Sequence, residues 1–162
     1  MDGMREEGIS YFYTIYSMGN DSELSRFLTA QEKDYSTALA EMRRGRKQSH
    51  WMWYIFPQIQ GLGHSSMARH YAIRDLREAA DYLAHPVLGA RLLEISRVLL
   101  SLPGNNATAV MGSPDDLKLR SCMTLFSLVA GADAVFSQVL TKFYHSKADE
   151  RTIEIARRLN VD

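Results

Sequence analysis

The chain has 162 residues, 46% apolar and 23% charged, with 19 cationic and 19 anionic side chains and a formal net charge of zero. Such a chain fits one globular domain whose core needs no crosslink, and its charge balance excludes a global pull toward nucleic acid or anionic membrane, though not a local patch. Cys122 is the single cysteine, which excludes an intrachain disulfide and a cysteine-based zinc site and suits a reducing cytoplasm.

Residues 1–20 are interrupted by Thr14, Ser17 and several tyrosines, and they open with Asp2, Glu6 and Glu7 against Arg5. A secretory leader would show a basic start and a cleaner apolar centre. No stretch reaches the ~18 apolar residues of a spanning helix, so a cytoplasmic protein without a membrane partner is expected. Residues 1–20 are read as an extension outside the domain, either a short β-prone segment or a poorly ordered tail. Residues 21–162 form the domain.

From residue 21 the apolar spacing is helical. Leu24, Phe27 and Leu28 make one short stripe; Tyr35, Ala38, Leu39 and Met42 make a second that ends at Gly45. Ser49 is placed to cap a helix over 50–56 that Pro57 stops. The run WMWYIF also reads as a buried strand, but helix is expected because its surroundings are helical. A glycine-containing loop covers 58–64. Ser65 opens a short helix, Asp75 the next, and Pro86 stands at the first position of a helix running to about residue 102. PGNN at 103–106 breaks the chain, and a small helix over 107–111 ends at Gly112. Ser113, Pro114, Asp115 and Asp116 read as a capping serine, a first-turn proline and first-turn acids of a helix running to Ala130. Asp133 and Asp149 start the last two. The expectation is an all-α fold: a single compact domain of about eight helices.

The strings GRKQSHWMWYIFPQIQGLG, YAIRDLREAADYLAHPVLGARL and DDLKLRSCMTLF resemble an uncharacterised bacterial family, domain-of-unknown-function family 1810, over about residues 22–155. The resemblance implies a mainly α-helical fold and supplies no catalytic residues. The family often carries the label calpastatin; calpastatin is a disordered calpain inhibitor, and a chain this apolar and periodic gives that label no support. This chain departs from the family at Cys122, where serine is common, and near His145 and Ser146, where glycine is common.

Two stretches carry candidate chemistry. In GRKQSHWMW, Arg46 and Lys47 are suited to a phosphate or carboxylate, His50 to proton transfer near neutral pH, and Trp51 or Trp53 to stacking on a ring. The structural alternative is that the cations cap the preceding helix and the indoles are core. On a helix the two tryptophans point about 200° apart, so one of them is expected to line a pocket or interface. In SPDDLKLRSCMTLF, Asp116, Lys118 and Ser121 are an acid, an amine and a hydroxyl near one helix end, Lys118 and Ser121 sharing a face. Here the alternative is that the acids only favour the helix N-terminus. Cys122 is expected to be buried and inert, His85 to serve a turn or cap, and Thr124 to bond back to its own helix. His64 and His70, six apart, make no metal motif. No glycine-rich phosphate loop, HExxH string or GxSxG elbow is present, so no metal and no cofactor are expected.

The leading expectation is a protein that binds a phosphorylated or nucleotide-like small molecule through Arg46, Lys47, Trp51, Trp53, Lys118 and Ser121. His50 and Asp116 are the acid/base candidates if it also processes that ligand. The alternative is a non-enzymatic module for a protein or single-stranded nucleic acid. A concave site would favour the first and a flat patch the second.

Overall fold

The structure, a computed structural model, describes residues 3–160, with side chains from Glu23 onward. The described residues form nine helices: α1 (Gly3–Arg43), α2 (Met52–Ile55), α3 (Ser66–His70), α4 (Leu76–Ala84), α5 (Leu88–Ser101), α6 (Ala107–Met111), α7 (Asp115–Ser127), α8 (Val135–Tyr144) and α9 (Glu150–Leu159). The fold is all-α. Residues 3–20, expected as a short β-prone segment or a poorly ordered tail, are instead the first part of α1; their side chains lie outside the described residues.

The two stripes of the first helix are one seam. Leu24, Phe27, Gln31, Tyr35, Ala38 and Met42 follow each other at helical spacing within α1, and Gln31 interrupts the apolar pattern because it is a buried polar residue. Its amide donates to the Tyr54 carbonyl at 2.8 Å and to the Tyr82 hydroxyl at 2.9 Å. Burial therefore leaves it satisfied. Arg43 lies in the last turn of α1, where a cation opposes the helix dipole. The chain then leaves through Gly45 at φ 77°, a conformation glycine adopts without strain.

α7 lies in the middle of the bundle, against α4, α6, α8 and α9. Leu119 and residues 121–126 are all buried. A column of rings ties four helices across this core: Phe27, Tyr82, Phe126 and Phe136 pack in sequence at 5.2, 5.3 and 5.9 Å between centroids. Such pairs add to the area they bury. Cys122 is fully buried, and burial pushes its thiol up. It is therefore a packing residue.

Several helix ends form as expected. Ser65 and Asp75 accept from Ala68 and Glu78 amides. His85 Nδ1 accepts from the Val87 and Leu88 amides. Thr124 Oγ1 donates to the Arg120 carbonyl. Others differ. Ser49 does not cap α2, which starts at Met52 without a side-chain cap; its hydroxyl donates to Glu41 instead. Ser113 does not cap α7, whose N-cap is Pro114, and Pro86 precedes α5 rather than opening it. α7 ends at Ser127, three residues before Ala130. At Ser49 the contact with Glu41 on α1 replaces the local signal. His145 and Ser146, the departures from the family pattern, are both left-handed, at φ 54° and 61°.

Candidate functional site

The two stretches singled out from the sequence meet. Lys47 Nζ lies 2.9 Å from Asp115 Oδ2, and its backbone N–H donates to the Val110 carbonyl. Asp115 also receives Lys118 at 3.5 Å, and the Lys118 ammonium lies 5.6 Å from the Trp53 ring centroid. The partner acid in this junction is Asp115, not Asp116. Asp116 accepts from the Thr108 hydroxyl at 2.7 Å. The Ser121 hydroxyl donates to Asp149 at 2.8 Å, at the start of α9.

The first stretch is organised by a buried acid. Glu41 is 2% exposed. Its Oε1 accepts from the Gln48 and Ser49 amides and the Trp51 indole N–H at 2.8–2.9 Å, and its Oε2 from the Ser49 hydroxyl at 2.6 Å. Burial by itself raises the carboxyl pKa, but these four donors outweigh it and hold the group down to about 2. Trp51 is fully buried, whereas Trp53 is half-buried. The divergence expected of the two indoles is present. Lys47 is only 7% exposed at its side chain, with its ammonium 4.9 Å from the Trp51 ring centroid. Arg46 and His50 are exposed.

Trp53 reaches a cleft of ≈ 250 Å³ that the sequence did not disclose. Its base is the crossover between α2 and α4. Ile59 and Ile73 form an isolated parallel bridge, with Ile73 N–H donating to the Gln58 carbonyl at 2.8 Å and Gln60 N–H to the Ile73 carbonyl at 2.9 Å. Both isoleucines are buried. Ile59 and its neighbours Gln58 and Gln60 line the cleft, together with Ala72 and Arg74 on either side of Ile73. The intervening loop and α3 add His64, Ala68 and Arg69. Gly63 is needed there because a Cβ would stand 2.5 Å from Ala68 Cβ.

Among the described residues, no carboxylate lines this cleft. Arg74 is neutralised by Glu23, which it contacts directly, and by the buried Glu78 at 2.9 Å. Among the described residues, Arg69 and His64 have no acid beside them. No three His, Cys, Asp or Glu side chains among those residues come together to hold a metal ion. Of the residues selected from the sequence, Trp53 is the one that lines the cleft. Gln58, Gln60, His64, Arg69 and Arg74 went unselected. The local trace of Gln58, Gln60 and Arg74 is two three-residue stretches centred on isoleucine, QIQ at 58–60 and AIR at 72–74, both too short to read as strands.

Comparisons fit this picture at the level of fold. No curated protein matches the chain. The crystal structure of a conserved hypothetical protein, Rv1873, from Mycobacterium tuberculosis is similar at a TM-score of 0.82 and 42% identity, covering 83% of this chain and 96% of that one. The sequence model of one family matches residues 21–156, and the chain accordingly belongs to the family described as protein of unknown function (DUF1810).

Proposed function

We propose that the protein binds a small anionic, ring-bearing metabolite, phosphorylated or nucleotide-like, in the cleft beside Trp53. The supporting observation is the combination in one concavity of a half-buried indole and an Arg69 guanidinium, with no acid partner and no carboxylate in the lining among the described residues. An indole offers a flat face to a ring, and a guanidinium offers a fork matched to phosphate or carboxylate. The volume lies near the small end of ligand sites, which suits a small metabolite. The concave shape favours a small molecule over a flat macromolecular interface. His50 and Asp116 do not line this cleft, so the reading is one of binding, and Lys47, already paired with Asp115, serves the scaffold.

Phenyl phosphate and AMP, titrated against intrinsic tryptophan fluorescence, test this. Saturable quenching by at least one is expected, lost in Trp53→Phe. Arg69→Ala should weaken binding about tenfold, the scale of a charge-assisted hydrogen bond. No saturable response to either probe, or an unchanged affinity in Arg69→Ala, would overturn the proposal.

A further inference from the structure

We infer that the ring taken by this cleft is a nucleobase carrying an exocyclic amino group, recognised by Gln60 and Gln58. The inference rests on the cleft reading above and deepens it. Gln58 and Gln60 both line the cleft on either side of Ile59, and the two backbone hydrogen bonds of the Ile59–Ile73 bridge hold residues 58–60 against residue 73. The amides are therefore mounted on a fixed base rather than a free loop.

The orientation of Gln60 follows from chemistry. Its side-chain amide meets the Arg74 carbonyl at 3.0 Å. A carbonyl only accepts, so the amide nitrogen must face it and the amide oxygen is the end left over. That oxygen calls for a donor. Gln58, two residues back on the same face, brings a complete amide that can donate to a ring nitrogen. An amino group beside an unprotonated ring nitrogen is the edge that adenine and cytosine present. Hypoxanthine and uracil replace that pair with a carbonyl beside an N–H, which sets oxygen against oxygen at Gln60. Side-chain amides are matched to such edges in nucleic-acid readers for the same reason. Arg69 supplies the cation for the phosphate, and Trp53 the face on which the base lies.

The test compares AMP with IMP and CMP with UMP, with phenyl phosphate as the probe lacking a base edge. AMP and CMP should bind about tenfold more tightly than their oxo counterparts, the effect of one unsatisfied hydrogen bond. Gln60→Leu should reduce that preference to about twofold or less. Equal affinity for AMP and IMP, or a preference surviving in Gln60→Leu, would overturn the inference and leave the cleft reading standing. So would binding of phenyl phosphate without binding of any nucleotide. Failure of all five probes removes both.

Discussion

Removing the Glu41 carboxylate should destabilise the protein severely while leaving the cleft's lining residues in place by sequence. In Glu41→Ala, four donors lose their acceptor. The Gln48 and Ser49 groups lie near the surface and can rehydrate; the Trp51 indole N–H is fully buried and cannot. Breaking a buried charged network of this kind costs about 3–5 kcal/mol, which for a domain of this size corresponds to roughly 6–20 °C in melting temperature. Glu41→Gln keeps an acceptor oxygen for the three N–H donors and turns its amide toward a hydroxyl that can accept, so about 1–2 kcal/mol is expected. The same network sets an acid limb. The carboxyl is held at about 2 against an ordinary value of 4.5. A depressed acid contributes its full stabilisation above the unfolded value and loses it as pH falls through the folded one. The window is therefore pH 4.5 down to 2, and the amount lost is about 3 kcal/mol. Urea denaturation of both variants and the wild type between pH 7 and 2.5 reads all of this. A Glu41→Ala protein that melts within 2 °C of wild type would refute the reasoning. So would acid limbs of equal steepness in wild type and Glu41→Gln.

Lys47→Ala should lower stability by about 1–3 kcal/mol, between the values for exposed and buried ion pairs, because Lys47 is largely buried and paired with Asp115; AMP affinity should change less than twofold, and a selective loss of binding would return Lys47 to the site. Cys122 should react slowly with a thiol reagent in the native state and rapidly after denaturation, since it is fully buried and its thiol is held in the protonated form. Cys122→Ser should cost about 1–3 kcal/mol by urea denaturation, and fast native labelling would contradict the packing assignment.

Local signals were sufficient for the helical class and for most element boundaries. Glycine at 45 and 112, the caps Ser65 and Asp75, and the repeating apolar face of α8 act over one or two turns, so their meaning survives without the rest of the molecule. The divergence of Trp51 and Trp53 was also legible, because it depends only on the angle between residues two apart on a helix. Which indole would be core was not legible. That choice depends on Glu41, ten residues earlier, reaching the Trp51 N–H. The fate of the cations was likewise tertiary: Lys47 and Arg46 are neighbours in sequence, yet Asp115 from α7 takes Lys47 and leaves Arg46 exposed. Gln31 split one seam into two apparent stripes because a buried amide is polar by composition and core by its partners. The cleft itself was beyond local reading. It arises from a single bridge between residues 59 and 73, a pairing of two short extended segments that no periodic pattern announces. By itself the sequence determined the helices and the family; only the tertiary structure decided which polar residues face each other, because that depends on contacts between segments far apart in the chain.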